Sequence, residues 1–306
     1  MRKNVTIPVL GGAAVTLMCA FVASEPRLAR ADTNASDTAQ PSHELCNWRD
    51  DDRNGLVDDG ISCAAIARDS NPVRIPTNRL RMGSRDGEGA ADEHPQHEVS
   101  VSAFALDRYE VTNQRYAACV AAGACGLPKF LGSAKRRAYF DNPQYGEYPV
   151  IFVSWADANQ FCRWDGGRLP TEAEWELAAR GVAPDDRQFP WGNEAPDCAR
   201  ANMGGDKSCV GDTDLTGRRP HGASPFGAMD MAGNVWEWVA DWYDAEYYKH
   251  SPKQDPEGPA SGNLKVMRGG CWMSGADSLR VSCRKAELPD SWAPNVGFRC
   301  ARREGK

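Results

Sequence analysis

Asp50, Asp52 and Asn54 stand at positions 1, 3 and 5 of a short loop, followed by Gly55 at position 6, Leu56 at position 7 and Asp58 at position 9. Oxygen ligands at that spacing, with a glycine for the sharp turn and a main-chain carbonyl at position 7, are how a loop wraps a calcium ion. Position 12 is Ile61, so the closing bidentate carboxylate is missing. Affinity would then fall to the weak extracellular range unless Asp59 substitutes. A solvated acidic spacer fits the same residues. Cys271 and Cys283 form the second chemical candidate, as redox thiols. They lie twelve residues apart on what read as adjacent strands, so a structural Cys271–Cys283 disulfide is the competing expectation. His94 and His97 are three apart but sit in a proline-containing loop with no glutamate placed as a base, which reads as a surface lead-in to a strand. Nucleophile-elbow, P-loop and dinucleotide-binding patterns are absent.

The elements that must hold these groups begin after an export signal. Arg2 and Lys3 precede a largely apolar run from Val5 to Ala23, and Ala29-Arg30-Ala31 is a small-x-small cleavage site. An uncleaved anchor has the necessary length, but Pro8, Gly11 and Gly12 interrupt it. Removing residues 1–31 leaves 32 basic and 41 acidic side chains, a net charge of −9 that argues against a nucleic-acid partner. It also leaves ten cysteines, an even number that in an exported chain favours disulfides. Spacing fits local bridges at Cys46–Cys63, Cys119–Cys125 and Cys198–Cys209, and Cys162, Cys271, Cys283 and Cys300 must then pair over longer range. No other segment would span a bilayer.

Residues 32–74 read as a polar leader followed by the acidic Cys46–Cys63 loop, and 75–306 as one domain without a linker-like break. Three helices have start and stop signals: Thr112 before 113–122 with Gly123 after it, Ser154 before 155–164, and a Thr171/Glu174 capping box closed by Gly181. Strands are expected at 98–107, 149–153, 264–268, 279–284 and 296–302. Much of 183–262 is Gly, Pro, Asp and Asn, and long loops of that kind need ions, disulfides or buried aromatics to stay ordered. Nine of the ten tryptophans fall between Trp155 and Trp292, which points to one aromatic-rich core.

Taken in order, Met82-Gly-Ser84, Tyr109-Glu-Val-Thr-Asn113, Pro149-Val-Ile-Phe-Val-Ser-Trp155 and Gly167-Arg-Leu-Pro-Thr-Glu-Ala-Glu-Trp175 resemble the formylglycine-generating enzyme, or sulfatase-modifying factor, family. The match continues through Phe189-Pro-Trp-Gly-Asn193, Gly233-Asn-Val-Trp-Glu-Trp238, Arg268-Gly-Gly270 and Asn295-Val-Gly-Phe-Arg-Cys300, covering about 75–303. The resemblance implies an α+β, C-type-lectin-like fold with little regular secondary structure, stabilised by disulfides and calcium. It implies a Cys162–Cys300 disulfide.

It also implies a calcium site with side-chain oxygens from Asp230 and Glu237 and main-chain oxygens from Gly233 and Val235, hard donors suited to that ion. Alternation along an extended segment would put Trp236 and Trp238 opposite Glu237. A second family calcium site would fall on Asn202, Met203 and Asp214, or Asp212 in place of Asp214. Catalytic members oxidise a sulfatase cysteine with molecular oxygen and a copper ion held by two thiolates five residues apart, since soft sulfur suits Cu(I). The matching positions here are Ser274 and Leu279, and neither supplies a thiolate.

The resulting expectation is an exported domain, periplasmic, at the cell envelope or extracellular, that is calcium-stabilised and binds a protein or carbohydrate ligand without making formylglycine. The alternative is an oxidase acting on a sulfatase, with copper at Cys271 and Cys283 or other chemistry in the same cleft.

Overall fold

Thr112, Ser154 and Thr171 each turn the chain into a helix by the same device. Each hydroxyl accepts a hydrogen bond from the main-chain N–H three residues on, at 3.3, 3.2 and 3.2 Å. At the second and third, Asp157 and Glu174 reach back to the cap's own N–H, at 3.0 and 2.8 Å. Orphan donors at the helix start are thereby paired. The helices are α1 (Asn113–Ala121), α2 (Trp155–Trp164) and α3 (Glu172–Arg180), and Gly181 ends the last in a left-handed conformation with φ 98°.

The computed structural model describes residues 71–205 and 208–303, all within one compact unit. Asp50, Asp52, Asn54, Asp58 and the Cys46–Cys63 pair lie outside the described residues. Nine short strands are present among them. They are β1 (Val73–Ile75), β2 (Asn78–Met82), β3 (His97–Val101), β4 (Phe104–Leu106), β5 (Trp236–Trp242), β6 (Lys265–Arg268), β7 (Lys285–Glu287), β8 (Val296–Phe298) and β9 (Ala301–Arg303). They form sheets ordered β1-β4-β9, β2-β3 and β7-β6-β5-β8, in which only β5 and β8 run parallel.

Two expected strands are corrected. The apolar run 149–153 is buried, but Phe152 adopts φ 59°, which no strand accommodates. The segment 279–284 contains the end of a 3-10 turn at Ala276–Leu279, and pairing resumes only at β7.

One apolar cluster gathers β1–β4, α3 and Trp175, and another gathers α1, α2, Trp236, Trp238 and Phe298. In the second, the Tyr116 ring stacks on Phe161 at 5.6 Å and Phe298 packs edge-on to Phe161 at 5.5 Å. The Cys162–Cys300 disulfide ties α2 to the segment between β8 and β9, and Cys119–Cys125 and Cys198–Cys209 close short loops. No helix among the described residues is long and apolar enough to cross a membrane.

Charged pairs are also buried between elements. Glu93 receives both Arg280 Nη atoms, at 2.6 and 2.8 Å, and the Ser84 hydroxyl. Burial alone would raise its pKa, but the hydrogen bonds from Arg280 and Ser84 prevail and hold it at about 2. A carboxyl lowered on folding stabilises the fold above its unfolded pKa, and that contribution is lost as pH falls through the folded value. Acid titration is therefore expected to remove about 2–3 kcal/mol between about pH 5 and pH 2 through this group. In Arg280→Gln that part of the pH dependence should be absent. An unchanged acid limb in denaturant melts of the variant would contradict the assignment.

Candidate functional site

The turn entering β5 is built from residues that tolerate a left-handed backbone. Asp230, Gly233 and Asn234 have φ of 57°, 88° and 58°, and Asp and Asn are the side-chain-bearing residues that accept this most readily. Gly233 is required twice over, because a Cβ there would lie 2.4 Å from the Asn202 carbonyl oxygen. Glu110 clamps the turn: its carboxylate accepts from Asn234 Nδ2 at 2.6 Å and from the Val235 N–H at 3.2 Å.

Along β5 the side chains alternate as a strand demands. Trp236 and Trp238 join the α1/α2 cluster while Glu237 points the other way, to Trp175 and Arg299. Arg299 Nε and Nη2 donate to the two Glu237 oxygens at 2.7 and 2.6 Å, and Trp175 Nε1 donates at 2.8 Å. The remaining guanidinium hydrogens go to the carbonyls of Asp107, Arg108 and Met229, at 3.1, 3.0 and 2.9 Å, so all five donors are used. Asp230 accepts the Gly217 N–H at 2.5 Å.

Negative charge exceeds positive around this turn. Glu110, Asp230 and Glu237 are all buried, with Arg299 as the one cation that bonds Glu237. Burial, then the Asp230 and Glu237 charges, push Glu110 well above the usual carboxylate range, and burial likewise raises Asp230. A divalent cation on the Asp230 side would balance that surplus, so the residues fit a calcium ion there.

Asn202 sits beside the same turn. Its Nδ2 donates to the Asp212 carbonyl at 2.9 Å and to Asn234 Oδ1 at 3.1 Å, while its buried Oδ1 has no partner. An orphaned buried oxygen of this kind is what an ion would satisfy. The other expected members differ. The Met203 carbonyl accepts from the Cys209 N–H at 3.0 Å. Asp214 pairs with Arg219 at 2.8 Å, and Asp212 with Arg136 at 2.9 Å and Ser133 at 2.6 Å. Asn234 joins the two regions, because its Oδ1 also accepts the Asp214 N–H at 2.9 Å. Sequence reasoning assigned no role to Asn234, Glu110 or Arg299. Their one signal was membership of the quoted motifs, which carries no pairing information.

Beyond β6 the chain changes character. Gly269 and Gly270 take φ of 93° and 72°, and the β6–β7 ladder has its last pair at Met267–Lys285. The expected Cys271–Cys283 disulfide is corrected here: both are free thiols. The glycine turn aims Cys271 at the loop before β8, where its sulfur accepts from Asn295 Nδ2 at 3.2 Å and the Met273 N–H at 3.4 Å. Cys283 instead lies beside the Glu93–Arg280 pair, and burial pushes its thiol up to about 11. It stays protonated near neutrality and is a poor metal ligand in that state.

The Ser274 hydroxyl accepts the Cys271 N–H at 3.0 Å. Leu279 is fully buried beside Phe189, Ala201 and Ala232. No pair of adjacent thiolates is available among the described residues. Among the described residues, the one group of three or more His, Cys, Asp or Glu side chains within reach of one another, Asp107, Asp165 and Cys300, has its sulfur committed to a disulfide. His94 Nε2 and His97 Nδ1 hydrogen-bond to the carbonyls of Glu88 and Pro95, at 2.8 and 2.9 Å.

Residues 64–304 match the family model described as a sulfatase-modifying factor enzyme 1-like domain. Formylglycine-generating enzyme of Streptomyces coelicolor is 34% identical over 282 residues, covering 75% of this chain and 88% of that protein. Inactive C-alpha-formylglycine-generating enzyme 2 of Bos taurus is 33% identical, covering 77% and 89%. Serine/threonine-protein kinase pkn1 of Chlamydia caviae is 36% identical over 75% of this chain, which spans only 37% of that relative's length. Among solved structures, PvdO from Pseudomonas aeruginosa superposes with a TM-score of 0.64 at 28% identity, covering 76% of this chain and 94% of that one.

Proposed function

The chain belongs to the sulfatase-modifying factor family, and on that premise we propose that it is an exported, calcium-stabilised module of lectin-like fold that binds a protein or carbohydrate ligand and does not make formylglycine. The observation that carries the reading is the replacement of both copper-binding positions. Ser274 offers a hydroxyl engaged with its own turn and Leu279 a buried hydrocarbon, so Cu(I) lacks its soft ligand pair. A relative whose name marks it as inactive is in keeping with this.

Calcium enters as a structural ion. Asp230, Gly233, Val235 and Glu237 would hold it at the surplus of negative charge, and Asn202 supports a second position through its unpartnered oxygen. An ion at the first position would pin a turn that three left-handed residues otherwise leave costly to order. Chelation is expected to lower the melting temperature by roughly 5–10 °C, the shift that about 2–3 kcal/mol of linked binding produces in a domain of this size. Asp230→Ala should abolish the difference between calcium-loaded and chelated protein. Identical melts with and without chelator would remove calcium from the account.

One observation favours the rival oxidase reading: Cys271 is a free thiol whose sulfur accepts two N–H groups. Cu(I) titration and oxygen consumption on a cysteine-containing sulfatase peptide separate the two. The binding-module reading expects no oxygen uptake and no tight Cu(I) site, with two thiols titrating only after unfolding. Uptake that disappears in Cys271→Ser would establish the oxidase.

A further inference from the structure

An exposed aromatic surface borders the loop before β8, whose Asn295 bonds Cys271, and its Phe152 packs with Val235 of the turn entering β5. Phe130 and Trp292 are 54% and 49% exposed, and Phe152 lies between them at centroid distances of 5.3 and 5.9 Å. Phe152 holds φ 59°, a left-handed conformation that is strained for a bulky residue. The strain is pinned from both sides, because the Phe152 N–H donates to the Ala293 carbonyl at 3.1 Å and the Lys129 N–H donates to the Phe152 carbonyl at 3.0 Å. The ring is thus held where it bridges two half-exposed aromatics.

The rim is basic along residues 126–140, which carry Lys129, Lys135, Arg136 and Arg137 and no acid, while Asp290 stands two residues before Trp292. Arg136 is committed to Asp212 and stacks over Tyr145 and Tyr148, while Lys129, 3.9 Å from Asp157, Lys135, whose Nζ donates to the Val210 carbonyl, and Arg137 are exposed.

The segment 46–63 of the same chain has the complementary composition. It holds five aspartates against two arginines, with Trp48, Leu56, Val57 and Ile61 among them. Seven residues separate Cys63 from Asn71, where the described structure begins. At about 3.3–3.6 Å per residue, the 23 residue steps from Trp48 to Asn71 reach up to about 76–83 Å. A domain of this size is only about 40–45 Å across, estimated from a radius of gyration of about 17 Å.

We infer that the acidic, tryptophan-bearing segment 46–63 docks on the Phe130–Phe152–Trp292 surface of its own chain, with its aspartates against the Lys129, Lys135 and Arg137 rim. Opposite charge selects and orients the contact, and apolar burial holds it.

The test uses the mature full-length chain. Zero-length carboxyl–amine cross-linking followed by mass spectrometry is expected to join Asp50–Asp59 to Lys129 or Lys135, within single molecules when unlabelled and isotopically labelled protein are mixed. Tryptic cleavage after Arg53 should accelerate about tenfold in Phe130→Ser/Arg137→Glu, because cleavage of a docked segment tracks the population of its open form. That variant's unchanged melting temperature checks that the domain remains folded. Equal cleavage rates in the two proteins, or cross-links confined to remote Lys249 and Lys253, would overturn the inference. Cross-links found only between differently labelled molecules would assign the surface to a second copy and equally overturn it.

Discussion

Arg299→Met is expected to destabilise the domain by about 3–5 kcal/mol, the penalty for leaving a buried charge without its partner. In a domain of this size that is a fall in melting temperature of roughly 6–20 °C. The size of the effect follows from what the guanidinium touches. It spans both oxygens of Glu237 and three main-chain carbonyls, on residues from β5 and from the loops around Asp107 and Met229. Without it, Glu237 joins Glu110 and Asp230 as buried carboxylates with no bonded arginine. Arg299→Lys keeps the charge but loses the planar fork, so it should recover only part of the loss. Added calcium should stabilise Arg299→Met more than the parent, since the surplus charge is larger. A variant that melts within a degree or two of the parent would show that the pair is not a structural anchor.

Removing the Cys162–Cys300 bridge is expected to cost about 4–5 kcal/mol, the chain-entropy value for a loop of this length. Its ends are 138 residues apart, against 6 for Cys119–Cys125 and 11 for Cys198–Cys209. Both sulfurs are fully buried where α2 meets the last strands, so Cys162→Ala/Cys300→Ala also removes packing beside Phe161 and Phe298. Chemical denaturation of the three single-bridge double mutants should rank Cys162–Cys300 first. If a short-loop bridge proved the most important, the unfolded-state argument would not describe this protein. The two perturbations act on different states, one on the folded charge network and one chiefly on the unfolded chain.

Much of this architecture was legible because it rests on local chemistry. Thr112, Ser154 and Thr171 cap helices through bonds spanning three residues, so a short window contained the whole interaction. The same holds for the alternation that sets Trp236 and Trp238 against Glu237. The apolar run 149–153 misled because burial and extension are separate properties. Its residues are buried as a strand's would be, but Phe152 turns left-handed to bring its ring beside Phe130 and Trp292.

Sequence alone determined the family and the helix starts, since those depend on which residue stands at which position. Tertiary structure decided how charge and sulfur are partnered. Glu237 finds Arg299 sixty-two residues away, Asn234 finds Glu110 across 124, and Cys271, following the turn at Gly269 and Gly270, meets Asn295 and leaves Cys283 unpaired. Pairing across such distances follows from the packing of whole elements and from the main-chain turns that aim each side chain. No local pattern records those terms.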